Sequence, residues 1–600
     1  MPPDSKRSNV RRSNVTACAR CKSRKQRCDQ NLPACSNCER AGVDYLKSLE
    51  DHVAQLERQL QEYRTNDRQI PRNEADTVTI ERILEQASFV ALPSSSFSNS
   101  RYMGTGSGLP LLRLLLFEDG TTTLPQQSVG SDLNSSSIVD LLQQDIPVQL
   151  PAHATSIRLI DAYFEHCDFF VPILYRNEVL RMLDEAADDT KIRERYKIFM
   201  ILAISIQLLN RTDSSIPASR ADTFFSFAKC LLLDNPANLL TGDLEHLENL
   251  LLLIQFSSFT SHPSVTWHYV GLATRLAIDL GLHDEPPPHH QLDPLSLDRR
   301  KRLFWATYTF ERNLCTVLGR PVSIADEAIF VSLPVDVDDN YITEDGILPQ
   351  PESSRKALAL HLIRYRQLES EIMQVLHQKQ PLISMAFNYE LWRDDMRRRL
   401  YDWRATMPLH QFPSQLAPME IFDGCLYNSL LQLFSPSRHM PSISSDDTIF
   451  LADCAQGSIE AYRSSFRDGK LRFYWRTVHN LFRAGVALVY SLKHWPTGLE
   501  YDGDSMQASL TSCSSVLWGM VERYPAGKHC RDTFDILCRS LRRPAAGQDL
   551  QSQPQIHRGT DLFPMLGNDA IIPADPSSLT ADHFMLPNLN VQYLFPRGES

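Results

Sequence analysis

The chain has 600 residues, 42% hydrophobic and 22% charged, with a formal net charge of −11, an ordinary composition for a folded protein of several domains. No apolar run approaches the roughly 18 residues that span a bilayer, and the basic, polar start MPPDSKRSNVRRSN is not a secretory signal. Membrane and secreted classes are therefore not expected, and the thirteen cysteines read as thiols or metal ligands of a reducing compartment. The charge is also split. Residues 1–45 hold ten Lys/Arg against four Asp/Glu, a net of +6, and the remainder holds 51 against 68, a net of −17. A small polyanion-binding head is joined to a large acidic body.

The first predicted element is CARCKSRKQRCDQNLPACSNC, spaced Cys18-x2-Cys21-x6-Cys28-x6-Cys35-x2-Cys38. Thiolates are soft ligands, and a two-residue gap lets both sulfurs of a C-x-x-C pair reach one tetrahedral ion, so two such pairs predict zinc. Thiols destined for a core have no reason to gather in a polar, lysine-rich segment. Lys22, Arg24, Lys25 and Arg27 lie between Cys21 and Cys28. A short helix there would present cations to phosphates and a donor to base edges in the major groove. A solvated basic face or an import signal would show the same residues.

The stretch CARCKSRKQRCDQNLPACSNCERAGV resembles the fungal binuclear zinc cluster of the Zn2Cys6 transcription factors. The resemblance implies two zinc ions held by six cysteines, with Cys18 and Cys35 bridging and Cys21, Cys28 and Cys38 terminal. It gives Lys25 the base-reading role at the end of the first short helix, makes Lys22, Arg24 and Arg27 phosphate contacts, and puts Pro33 in the loop between the two halves. The chain departs from the pattern where the family has a sixth cysteine and a polar linker: Val43 runs almost directly into YLKSLEDHVAQLERQL, and the next cysteine is Cys167. Three readings stand. Codons between Val43 and Asp44 are missing from the gene model, which removes cysteine and linker in one event. Alternatively Asp44 or His52 supplies the ligand, or one zinc sits among Cys18, Cys21, Cys35 and Cys38 with Cys28 left over. The last two lower DNA affinity, because zinc binding and folding are coupled in such modules.

Leu46, Leu49, Val53, Leu56, Leu60 and Tyr63 follow 3-4-3-4-3 spacing, an a/d seam of under three heptads. That length is marginal alone, and a single amphipathic helix would look alike. Directly behind a DNA-binding head it predicts a parallel homodimer with two heads on two half-sites. Residues 66–150 read as a partly disordered linker, with the Ser/Gly-rich LPSSSFSNSRYMGTGSG followed by LPLLRLLLFEDG, an apolar run suited to docking on the main domain.

From residue 151 to 540 the apolar pattern is repeatedly helical, predicting one large all-α domain. Within it, WHYVGLATRLAIDLGLHDE and DRRKRLFWATYTFERNLCTVLGRPVSIADEAIFVSLP resemble the fungal-specific transcription factor domain, or middle homology region. Gly281 is expected to end a helix, and Phe304, Trp305 and Tyr308 to face inward. Arg275, Asp279 and Arg312 are candidates for buried or half-buried ion pairs. No phosphate loop, dinucleotide fingerprint or nucleophile elbow occurs. HDEPPPHH and DVDDNYITED read as loops rather than metal sites, so an enzyme is not expected. Residues 541–600 lose periodicity and mix acids with Phe, Met and Leu, the composition of a disordered tail or an activation segment that binds coactivators.

The expected fold is all-α: an incomplete zinc-cluster head (1–44), a coiled coil (45–65), a linker (66–150), a regulatory domain (151–540) and a tail (541–600). The expected function is zinc-dependent, sequence-specific regulation of transcription on double-stranded DNA at CGG-type half-sites, as a nuclear homodimer, controlling a metabolic or secondary-metabolite gene cluster. The alternative is an interaction protein with an impaired head that dimerises with and modulates another regulator.

Overall fold

The structure is a computed structural model. It describes residues 148–541 apart from gaps at 214, 260–262, 288–291, 351–353, 355, 378–386, 409–418, 438 and 472, together with Lys25 and ten residues between 89 and 115. The chain divides into two compact units, residues 1–79 and 80–600; Lys25 belongs to the first and every other described residue to the second.

Among the described residues the second unit holds fifteen α-helices. The N-terminal group is α1 (His153–Cys167), α2 (Arg176–Glu185), α3 (Ile192–Thr212), α4 (Ala218–Asp234), α5 (Pro236–Leu239), α6 (Leu244–Phe259) and α7 (Pro263–Asp279). The long α8 (Pro294–Leu318) follows, then α9 (Ala357–His377) and α10 (Tyr389–Ala405). The C-terminal group is α11 (Met419–Phe434), α12 (Ser445–Arg467), α13 (Tyr474–Lys493), α14 (Gly503–Arg523) and α15 (Lys528–Leu541). Described β structure is limited to the two-residue pair Phe89–Val90 with Arg101–Tyr102 and an Ile342–Ile347 bridge. The body is all-α, as its periodicity predicts.

Sequence pattern sorts helices by depth. The run LENLLLLIQFSSF is apolar almost all round, and α6 is buried from Leu247 to Phe259. Outer helices carry a single stripe: α2 buries only Val179 and Leu183, and α15 buries Arg531, Phe534 and Leu537. The helix α8 packs against α6, α7, α9 and α13 and so joins the two groups. Leu111, Leu112 and Leu115, from the apolar run before the body, are buried in the same core.

Helix ends are fixed locally. Asp293 caps α8, its side chain accepting from the Ser296 N–H with Pro294 in the first turn. Ser444 and Asp447 form a capping box on α12. Gly281 adopts φ +64° beyond α7, with its N–H on the Ile278 carbonyl and the Leu282 N–H on the Ala277 carbonyl. Gly319 repeats this pattern after α8 at φ +63°. Both are Schellman ends, where only glycine is free of the left-handed penalty.

The buried His361 and the half-buried His479 give the body an acid limit. His361 stacks on Trp403 with ring centroids 4.9 Å apart and its Nε2 has no partner; burial pushes its pKa down to about 4. Burial likewise takes His479 down to about 4. In the unfolded chain both rings titrate near the ordinary value of about 6.5. The folded state therefore favours neutral rings, and the stability they hold above pH about 6.5 is lost as pH falls toward 4. The melting temperature should drop across that window, and His361→Phe should flatten the drop; an equally steep drop in His361→Phe would remove His361 from the cause.

Candidate nucleic-acid interface and the ion pairs of the regulatory body

The predicted metal ligands Cys18, Cys21, Cys28, Cys35 and Cys38, the cations Lys22, Arg24 and Arg27, and the seam Leu46, Leu49, Val53, Leu56 and Leu60 lie outside the described residues. Lys25 is described: it is exposed, in a turn, with φ +53°. A non-glycine residue in the left-handed region carries a penalty of about 1–2 kcal/mol. Such a conformation suits the residue that closes a helix, and it directs attention to a functional role. The donor set itself fits zinc: two C-x-x-C thiolate pairs satisfy one tetrahedral ion, and a second ion needs a donor beyond the five cysteines.

In the body, the two family-like stretches become α7 and α8, and α8 carries buried charge at successive turns. Asp298 and Arg302 are each 1% exposed and paired i, i+4 at 2.6 Å. Asp298 also accepts from the Tyr175 hydroxyl at 2.9 Å and the Val335 N–H at 3.2 Å. Arg302 pairs with Asp339, and its guanidinium lies 4.0 Å from the Tyr175 ring centroid. Lys356 stands 3.8 Å from Asp298 and 3.5 Å from Asp339. Burial works to raise the Asp298 carboxyl, but Arg302, Lys356 and the Arg302 and Tyr175 hydrogen bonds outweigh it and hold it below the ordinary value.

One turn from the end of α8, Arg312 pairs with Glu311 and donates to Ser370 Oγ at 2.9 Å and the Ile324 carbonyl at 2.6 Å. Asp326 accepts from Arg312 at 3.2 Å and from the Tyr308 hydroxyl at 2.7 Å. At the other end, Lys197 and Arg299 share Glu248 at 2.7 and 3.0 Å. These pairs pin α8 to α3, α6, α9 and the loops that follow it. Phe304, Trp305 and Tyr308 face inward, each 3% exposed, as expected. Arg312 is in a buried pair, but Arg275 and Asp279 are exposed on α7 and take part in no ion pair among the described residues, contrary to expectation. Their helix face is the one opposite the buried Val270, Ala273 and Ala277.

The arrangement is structural rather than reactive. Cys315 is 1% exposed, and burial and the neighbouring Glu311 push its thiol well up, away from a nucleophilic thiolate. The eight described cysteines are free thiols. Among the described residues no group of His, Cys, Asp and Glu could hold a metal, and no helix is long and apolar enough to cross a membrane. Sequence reading missed Tyr175, Asp339 and Lys356 around Asp298; only the i, i+4 spacing of Asp298 and Arg302 signals the site.

Two family patterns match the chain: the fungal Zn(2)-Cys(6) binuclear cluster domain over residues 16–44 and the fungal specific transcription factor domain over residues 160–405. Among similar curated proteins is the positive regulator of purine utilization of Emericella nidulans, 24% identical over 565 residues, covering 74% of this chain and 53% of that protein. Another is the pyrimidine pathway regulatory protein 1 of Saccharomyces cerevisiae, 25% identical over 304 residues, covering 49% and 34%. A third is the transcriptional activator protein acu-15 of Neurospora crassa, 24% identical over 450 residues, covering 66% and 47%. The chain thus spans about half or less of the length of these relatives. These families and relatives are transcription regulators, not enzymes.

Proposed function

We propose that the chain, which carries the fungal Zn(2)-Cys(6) binuclear cluster and fungal specific transcription factor domain patterns, is a zinc-dependent, sequence-specific regulator of RNA polymerase II transcription acting in the nucleus. The observation that carries this reading is the order of two independent domains in one chain, a thiolate-rich basic head followed by the helical regulatory body. Zinc held by Cys18, Cys21, Cys28, Cys35 and Cys38 folds the head. Lys25 donates to guanine O6/N7 of a CGG-type triplet, and Lys22, Arg24 and Arg27 bind phosphates. The seam from Leu46 to Leu60 pairs two copies on two half-sites. Two relatives take their names from purine and pyrimidine metabolism, which supports target genes in a metabolic cluster; the tail after residue 541 is the segment suited to coactivators.

Fluorescence anisotropy with a CGG-containing duplex and a scrambled duplex tests the reading. Lys25→Ala should cost about 1–3 kcal/mol of discrimination between the two. Arg24→Ala should weaken both equally and lower the salt slope by about 1. Unchanged preference in Lys25→Ala removes its base-reading role. The absent sixth cysteine favours a second reading, a head too impaired to bind DNA on a chain that dimerises with another regulator. A wild-type protein that cannot tell the two duplexes apart selects it.

A further inference from the structure

The described body contains a polar cavity between α8 and α9 on one side and the C-terminal group on the other, walled by α8, α9, α11, α12, α13 and the α12–α13 loop. It encloses about 640 Å³ of empty space counting its opening to solvent, of which about 50 Å³ admits the centre of a water-sized molecule. The interior volume suits several waters or one small organic molecule of a few heavy atoms.

Its lining carries more cations than carboxylates. Arg366, Lys470, Arg476 and Arg483 face it against Glu369 and Glu420. Arg366 is paired with Glu369, and Lys470 with Glu420 at 3.3 Å. Arg476 and Arg483 have no carboxylate within ion-pair distance among the described residues; Glu369 acts on Arg483 only from farther off. Arg476 donates to the Asn313 side chain at 2.8 Å and lies 5.0 Å from the Phe473 ring centroid. Arg483 is only 7% exposed; its one hydrogen bond is a long 3.3 Å contact to the Asn428 carbonyl, and its Nε has none.

A buried guanidinium stays charged, and buried charges are ordinarily paired. Three other buried arginines of this body, Arg302, Arg312 and Arg366, each have a carboxylate in contact. Around Arg483 other polar atoms also stand idle. Asn428 Oδ1 and Arg366 Nε have no partner, and neither does Glu420 Oε2. Tyr462 Oη accepts from Asn428 at 2.7 Å and from Asn480 at 2.9 Å, which leaves its own proton to give. Unsatisfied donors, two unsatisfied acceptors and two guanidinium groups without an ion pair converge on one cavity.

We infer that this cavity binds a small carboxylate metabolite, with Arg483 and Arg476 pairing its carboxylate and Asn428 and Tyr462 holding a second polar group. The planar guanidinium fork matches a carboxylate, and the interior volume limits the molecule to a few carbons. The occupant touches the central helices and the C-terminal group, so binding ties α8 and α9 to α13. The site is independent of the head, and its test involves no DNA.

The experiment is calorimetric titration and thermal melting of the full-length protein with acetate, succinate and citrate, against chloride at matched ionic strength and against inorganic phosphate. At least one carboxylate should raise the melting temperature and bind at one site per chain. Arg483→Met should weaken that binding at least tenfold, and Arg476→Gln should weaken it as well. Without ligand, Arg483→Met should melt no lower than the parent, because it removes an unpaired buried cation and keeps the volume. No response to any of the three carboxylates overturns the inference, as does a response to phosphate alone. An Arg483→Met protein that melts lower yet binds the carboxylate unchanged also overturns it, by making Arg483 purely structural.

Discussion

Asp298→Ala should destabilise the helical body by about 3–5 kcal/mol, the cost of leaving a buried cation without its counter-ion. Asp298 is the anion that Arg302 meets at 2.6 Å, that Lys356 approaches at 3.8 Å and that the Tyr175 hydroxyl donates to at 2.9 Å. Removing it leaves two cations, each 1% exposed, with Asp339 as the one remaining carboxylate in ion-pair contact and Asp168 farther off. It also frees the Val335 N–H, which anchors the loop after α8. Lys356 is the sensitive partner: burial, then Arg302, already holds its pKa below the ordinary value, and Asp298 is the first group opposing that. Urea or thermal denaturation of the full-length protein measures the loss. Combining Asp298→Leu with Arg302→Met should recover much of it, because a matched apolar replacement of a buried pair is often neutral. A loss below about 1 kcal/mol in Asp298→Ala would show that the cluster is solvated and contributes little.

Legibility in this chain follows the range of the interaction. The end of α7 was readable because a Schellman turn is local: the Gly281 N–H bonds three residues back and the Leu282 N–H five residues back. The inward set Phe304, Trp305 and Tyr308 was readable because the helical period carries it. Lys356 was not, since it meets Asp298 from 58 positions away and sits in a segment with no charge pattern of its own. Arg275 and Asp279 show the converse error. Charge type suggested a buried pair, while the period of Val270, Ala273 and Ala277 already assigned them to the outer face of α7. Arg483 sits in the run LFRAGVALVYSL, where pattern predicts burial but not the missing partner. The head is the opposite case. Cysteine spacing makes its chemistry plain, and one described residue, Lys25 at φ +53°, bears on the geometry.

Removing zinc should abolish DNA binding and leave the melting transition of the body in place. A head of this size, polar and lysine-rich, has too few apolar residues in its sequence to fold by burial alone. Its folding free energy is metal-binding free energy, on the order of 10–16 kcal/mol in comparable zinc modules at neutral pH. The body has a continuous core and, among its described residues, no metal-binding cluster. The head and the body fall in separate compact units, so chelation reaches only one of them. Anisotropy on the CGG duplex and thermal melting, each before and after chelator, measure the two effects separately; a chelator that lowers the body's melting temperature would place structural metal there as well. Counting the released zinc then decides among the readings of the missing sixth cysteine. Two ions per chain require a sixth donor, and Asp44→Ala or His52→Ala should lower the count if either supplies it. One ion per chain selects the four-cysteine arrangement. Cys28→Ala gives the sharper result, because it destroys a two-ion cluster in which Cys28 is a terminal ligand and leaves a single ion held by Cys18, Cys21, Cys35 and Cys38 untouched.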